Sequence, residues 1–503
     1  MSRALLAATA ALTLGLLAAG TAEGYTTRLS AFANKADRPQ GYLLAGDRIH
    51  VIARRFIPKA LCKPKVKFTL TDRSGKKFRV GSESPGFGTF GEGAMNRGLE
   101  KVPAGAKPGR ATLRSKQKCR LGQASGKDTV RIIDPNQPRP KVTQTAALDV
   151  LSGRTTTLAL SVDRYAYVNV VVEWELVPGE WRLIDVVANQ EFLPAADTYS
   201  LDWRARAGGD VPPGHYRFRI TPRAPGVGNG QPVTQDFFVA KEFGRRQAPG
   251  RAPVFRDPFG VDVNGNARIL VADAIGRVRE LDFEGDVVGD YTFGGGVFSP
   301  VDASGERGLP LFVADAGGRR IARRASAGDT QFFGSAGTGP GQFSPAKGPQ
   351  AVAATAQDGG RVYVVDGDLP RVQAFDLAGN LQGTITGGGL STPQGVATAP
   401  DGTVWVADNT ARLLHFSAAG TPLNDIPTGS PFATTPAVDV DPGGRVVALD
   451  GRSLALVPPG SNTIVRRFGR RLLGTFPRGV ATAGLAGDLY VTTGSRVLWF
   501  RVP

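Results

Sequence analysis

The chain has few of the side chains from which metal and redox chemistry is built: among 503 residues there are three His, two Cys and two Met. Of His50, His215 and His415 only the last lies beyond residue 240, so a three-histidine metal site in the C-terminal half is excluded. No G-x-S-x-G elbow occurs that would expose a nucleophilic serine on a strained turn. The glycine-rich stretch 334–343 lacks a Gly-Lys-Ser/Thr ending and is no phosphate loop. A second one, 226–230, is followed by Pro232 and reads as a hairpin loop. No catalytic residue, metal ligand or cofactor site is therefore assigned, and the balance leans away from an enzyme.

What the chain does have is a repeat. Short apolar segments end in an acid at Asp273, Asp315, Asp366, Asp408 and Asp450, and a sixth copy ends at Thr493 instead. The intervals are 42, 51, 42, 42 and 43 residues, a period typical of propeller blades. In the clearest copy, 395–420, a Pro400-Asp401-Gly402 turn separates two strands, and Val404-Trp405-Val406 is apolar on both faces. Such a strand belongs in a sheet covered on both sides. One repeat cannot bury itself, so the expectation is a ring.

Phe333-Gly334, Gly337, Gly339, Gly341-Gln342-Phe343, then Tyr363-Val364-Val365-Asp366 and Arg371-Val372 resemble NHL repeats. The resemblance spans 240–503 and implies a six-bladed β-propeller. The last copy has only three strands before Pro503, and an open ring would leave an unpaired edge. Lys241-Glu242-Phe243-Gly244, which repeats a Phe-Gly strand ending, is expected to pair outside 497–500 and close it.

At the other end, Arg3, an apolar run to Ala19 and small residues beyond it read as a secretory signal over 1–22, shorter than a spanning helix. Two further domains are expected, 25–137 and 141–239, separated by the Pro-rich stretch 134–140. The first weakly resembles bacterial surface immunoglobulin-like sandwiches, and its Cys62 and Cys119 are most simply read as one disulfide of an exported chain. In the second, Trp203, Gly209, Val211-Pro212, Gly214, Tyr216, Phe218 and Ile220 resemble the FlgD-type immunoglobulin-like module. The expected fold class is all-β: two Ig-like β-sandwiches followed by a six-bladed β-propeller.

Charge is the most unevenly spread property. Residues 25–137 hold 24 Lys and Arg against 8 Asp and Glu, residues 138–239 hold 10 against 11, and residues 240–503 hold 26 against 24. Lys59, Lys63, Lys65, Lys67, Lys76, Lys77 and Arg79, with Arg110, Arg114, Lys116, Lys118 and Arg120, are spaced so that alternate residues can share a sheet face. Such a face is either simply solvated or meets an anionic envelope polymer or lipid headgroups. Nucleic acid is disfavoured by export and by the lack of a recognised motif.

Within the repeats, the five acids either cap their own turns or together form a carboxylate ring. Arg277, Arg320, Arg371, Arg412 and Arg496, with Arg452, either pair with those acids or present a ring to an anion. Gly339 and Gln342 lie on the most elaborated loop and join the candidate binding residues. Asp262-Val263-Asn264-Gly265-Asn266 is similar to half a calcium loop, and His415 is either unspecialised or a base. The reading is a secreted, envelope-associated binding platform without cofactor, its partners anionic envelope material on 25–137 and a protein or glycan on the propeller. A propeller enzyme of the lyase or lactonase kind and a purely structural envelope component are the alternatives.

Overall fold

The structure is a computed structural model that describes residues 26–502, apart from 34–40, 57–61, 85, 88–92, 120–121, 135, 194–196, 208, 225–226, 244–253, 294, 307, 411, 428–436, 475–476 and 485–486. The signal segment 1–22, Lys59, Arg120 and Gly244 lie outside the described residues. Those described are nearly all β, as the short alternating segments dictate.

In the first unit, strands Lys77–Glu83, Cys62–Thr71, Gly109–Cys119 and Gly122–Ile133 pair in that spatial order, and Thr26–Ala33 carries the sheet on to Arg48–Phe56 and Gly93–Lys101. The sheet wraps one core that includes Val51, Val66, Phe68, Leu70, Val80, Leu113 and Val130. Val66, Phe68 and Leu70 of one strand and Ala111 and Leu113 of its neighbour, alternate residues, point into it. Cys62 is the direct cross-strand partner of Cys119.

The second unit has a three-stranded sheet, Val142–Ala146, Thr155–Val162 and Thr198–Arg204, and a larger one ordered Glu180–Leu193, Ala166–Val177, Gly214–Ala224 and Val233–Phe243. Both contribute to a single core. Trp203 fills its middle against Tyr216, Phe218 and Phe237. The Tyr216 hydroxyl donates to Pro212 O at 2.8 Å, fastening the turn that opens its own strand. The residues singled out in the sequence are thus core and corner.

Beyond residue 257 the chain forms a β-propeller. Among the described residues, five four-stranded antiparallel sheets follow one another, each made of four consecutive strands, starting at Pro258, Pro300, Pro349, Pro393 and Val438. The sixth sheet takes Pro477–Ala483, Asp488–Thr493 and Arg496–Arg501 from the end of the chain, and its outer strand is the end of Val233–Phe243. Lys241 faces Trp499, Glu242 faces Leu498 and Phe243 faces Val497, which is the closure expected from the sequence. The innermost strands of successive sheets adjoin around the ring, and Pro258–Val263 of the first sheet adjoins Pro477–Ala483 of the sixth.

The closing strand departs from expectation in one respect. Its first part, Val233–Val239, pairs with Gly214–Ile220 of the second unit, so a single strand belongs to both sheets and the boundary drawn at 239/240 falls inside it. Phe238 stacks on Phe468 at 4.2 Å. Asp149 accepts from the N–H groups of both Phe238 and Gly469, at 2.7 and 2.8 Å. Phe243 is buried over Tyr490 and Trp499. Its ring lies where a Cβ on Gly285 would come within 2.5 Å, and Gly285 also needs φ +92°.

Candidate functional site

Two places in the molecule gather like charges, one wet and one enclosed. The wet one is the open face of the first unit. Because side chains alternate across a strand, the register fixes which of them share that face. Arg79, Thr69, Arg114 and Lys127 form one row across four strands. Lys67, Lys116 and Ser125 form the next, and Arg110 lies opposite Arg131. Lys65, Lys77 and Lys118 occupy the same face by alternation, and all ten cations are exposed. Among the described residues no Asp or Glu shares this face of the four strands, and none of the ten cations is in an ion pair. Asp128, between Lys127 and Thr129, is turned the other way and accepts from Ala31 N.

Seven of the ten were legible as an alternating series, and Lys77 stood beside them. Lys127 and Arg131 were missed, since a strand with one cation in every four residues gives little signal until its neighbours are known. Lys76 belongs to a turn, where its ammonium covers Phe78 at 5.2 Å. The side chain of Lys63 lies outside the described residues.

The enclosed place is the centre of the propeller, a cavity of about 660 Å³ lined by the innermost strands of all six sheets. Among the acids that line it, Asp262, Asp302 and Asp439 each tie their own sheet to the next. Asp262 accepts from Gly305 N at 2.8 Å, Asp302 from Val352 N at 2.9 Å, and Asp439 from Thr482 N and Oγ1 at 2.6 and 2.9 Å. Ser304 and Glu306 extend the Asp302 contact into a ladder by accepting from Ala354 N and Ala356 N. A Cβ on Gly260 would lie 2.1 Å from an Asp302 oxygen, so glycine lets the second sheet close on the first.

Enclosure by protein pushes the Asp302 carboxyl up to about 8 against the pull of the Val352 N–H, and the Asp262 charge adds to the rise. The same cause pushes Asp439 up to about 7, again with Asp262 adding. Asp262 is itself raised by burial. Loss of hydration penalises the charged form, and like charges close together compound it. Asp302 and Asp439 were not singled out in the sequence. Their signal was a Val-Asp pair on an otherwise apolar first strand, recurring at 261–262, 301–302 and 438–439.

The repeat acids form no ring. Asp273, Asp315, Asp366 and Asp408 are fully buried in their own sheets and receive backbone N–H groups of the segment leading into that sheet. Asp315 holds Phe298 N and Ser299 N, Asp408 holds Ser391 N and Thr392 N, Asp273 holds Asp257 N, and Asp366 holds Ser344 N. Asp450 instead meets Arg467 Nε at 2.5 Å. Among the described residues no group of three or more His, Cys, Asp or Glu side chains is placed to hold a metal.

The arginines are likewise distributed one to a sheet. Arg371 pairs with Asp366 at 2.9 Å and donates to the carbonyls of Thr338, Gly339 and Gln342. Gly339 N in turn donates to Gln342 Oε1, so these candidates are brought together by the folding of one loop. Arg320 pairs with Asp315 at 3.2 Å and Arg277 with Asp273 at 3.4 Å. Two repeats lack that pairing, since Arg412 reaches Gly389 O and Asp425, and Arg452 is exposed while Arg467 takes Asp450; in the sixth, which has no acid, Arg496 reaches Glu242 and Leu472 O.

The Asp262–Asn266 segment is an ordinary turn, since Asn264 Oδ1 accepts from Asn266 N and Arg268 N. His415 stacks on Trp405 at 4.0 Å and bonds Asn424 and Thr403 through its two nitrogens, a position filled by packing. His215 is buried in the second unit, 2.5 Å from Glu175 and stacked on Phe238.

No family model and no curated protein matches the chain. Among solved structures it is similar to a catalytically inactive virginiamycin B lyase from Staphylococcus aureus with quinupristin, at 10% identity and TM-score 0.39 over 57% of this chain and 94% of that one. A streptogramin B lyase gives 12% identity and TM-score 0.38 over 52% and 96%. The WD40 β-propeller domain of Doa1 gives 9% and 0.38 over 56% and 85%. The propeller assignment stands on the strand pairing above, and these scores add nothing about function.

Proposed function

We propose that this chain is a secreted, envelope-associated binding protein, in which the basic first unit contacts anionic envelope material and the propeller presents an interaction surface to a protein or glycan. On this reading 1–22 is an export signal, Cys62 and Cys119 are bridged in the oxidising compartment, and the two N-terminal units are immunoglobulin-like modules that carry an NHL-type, six-bladed propeller.

The observation that carries the reading is the open sheet face with ten exposed cations and, among the described residues, no carboxylate. Like charges directly opposite one another in a sheet are destabilising, and this face has three such pairs: Lys67 with Lys116, Arg114 with Lys127, Arg110 with Arg131. Solubility requires no such juxtaposition, because the same charge scattered over the surface serves equally well. The closing strand shared by the second unit and the propeller supports the platform role, since it fixes the propeller to its carrier.

The test uses the full chain with long-chain inorganic polyphosphate, anionic phosphatidylglycerol vesicles and neutral phosphatidylcholine vesicles at low salt. Association with at least one anionic probe and not with the neutral vesicles is expected. A variant carrying Lys67→Glu, Arg114→Glu, Lys116→Glu and Lys127→Glu should lose it. Equal association by that variant would reduce the charge to a solubilising coat.

A further inference from the structure

We infer that the partner of the basic face is a flexible linear polyanion without aromatic or lipid components, a chain of phosphate or carboxylate groups read by charge and hydroxyl contacts alone. This rests on the reading that the face binds envelope anions, and it chooses among them by what the face contains.

Its dimensions are set by the sheet. Neighbouring strands stand about 4.8 Å apart and alternate residues about 6.8 Å apart, so four strands and the run from Arg110 to Lys118 make a strip of about 14 by about 27 Å. Cations recur along it in both directions. Between them lie short donors: Thr69, Thr112, Ser125 and Thr129, with Gln123 at one end. A hydroxyl or amide beside each ammonium is the pairing that anionic oxygens accept.

What the face lacks decides the rest. A protein surface that seats itself in a bilayer adds apolar or aromatic side chains that enter the acyl boundary. One that holds single-stranded nucleic acid adds aromatic rings on which bases stack. Among the described residues of the first unit the sole large exposed hydrophobic is Ile52, on strand Arg48–Phe56, which is not one of the four strands of the strip. Phe78 is turned into the core. The described residues of the strip therefore have nothing to offer a base or an acyl chain, and everything to offer a bare row of charges. A flexible chain also follows a twisted sheet, which a planar bilayer meets only along a line.

Three probes separate the outcomes for the full-length protein: long-chain inorganic polyphosphate, phosphatidylglycerol vesicles and oligo(dT), compared at equal concentration of phosphate charge. Polyphosphate should bind at least tenfold tighter than either of the others, and alginate, a carboxylate chain, should compete with it. Vesicles or oligo(dT) binding as tightly as polyphosphate would overturn the inference while leaving the anion-binding face intact. Absence of binding to every probe would instead overturn the proposed function on which it rests. The variant Lys67→Gln with Lys116→Gln, both at exposed sites, guards against loss by misfolding: it should weaken polyphosphate binding while melting no lower than the parent. Unchanged polyphosphate affinity in that variant would also contradict the inference.

Discussion

The open face of the first unit and the centre of the propeller meet the same electrostatic problem and resolve it oppositely. On the face, ten cations remain in water, where high dielectric and salt screening make their mutual repulsion tolerable. In the centre, burial pushes Asp302 and Asp439 toward their neutral forms, and the neighbouring Asp262 charge adds to the push. Charge that is kept is available to a partner. Charge that burial disfavours serves the fold, as a carboxyl that accepts a neighbour's N–H. The contrast explains why abundance of charge alone does not mark a site.

The difference is open to attack by mutation, and the largest effect is expected in the propeller. Phe243→Ala removes a buried ring from the shared closing strand and should cost about 3–5 kcal/mol in chemical denaturation. A cost below about 1 kcal/mol, the range of surface changes, would mean that the strand shared with the second unit does not hold the ring. Next in size is Asp302→Ala, which leaves Val352 N–H without its acceptor and should cost about 1–3 kcal/mol. Lys116→Ala, on the wet face, should stay within about 0.5 kcal/mol. Equal costs for the two would abolish the distinction.

A pH series sharpens it further. Asp302 and Asp439 have folded values raised above the ordinary carboxylate range near 4, so the stabilisation linked to their protons is full below about pH 4 and is lost as pH rises through about 7 to 8. The melting temperature of the full chain should fall across that window, and Asp302→Asn should flatten the fall. An unchanged slope in Asp302→Asn would show that this carboxyl stays charged. The smallest effect belongs to the face: Lys67→Gln with Lys116→Gln relieves a direct like-charge pair and should raise stability by a few tenths of a kcal/mol at low salt. Added salt should erase that gain, and a loss of stability would instead assign the pair a structural role.

The ring was legible in the sequence because its spacing was nearly constant and its second strands ended in the same acid. Closure was legible too, since Phe243 repeated a strand ending and the last copy lacked a strand. That the closing strand also belongs to the second unit was not, because an apolar run such as Phe237-Phe238-Val239-Ala240 is the same in sequence whether it joins one sheet or two. Asp302 and Asp439 escaped for a related reason. They mark only some of the repeats, and their meaning depends on which side of an inner strand faces the cavity. The basic strip was half legible: alternation showed its cations, and only the register showed that Arg79, Arg114 and Lys127 share a row.

That the cations of the face are kept to hold a polyanion is tested most directly by the salt dependence of polyphosphate binding to the full chain. Counterion release makes the logarithm of the affinity fall linearly with the logarithm of salt concentration. The parent should show a steep slope between about 50 and 200 mM, and each cation replaced should reduce it by about one, so Lys67→Gln with Lys116→Gln should reduce it by about two. A parent slope near zero, or a slope that the double variant leaves unchanged, would contradict the claim.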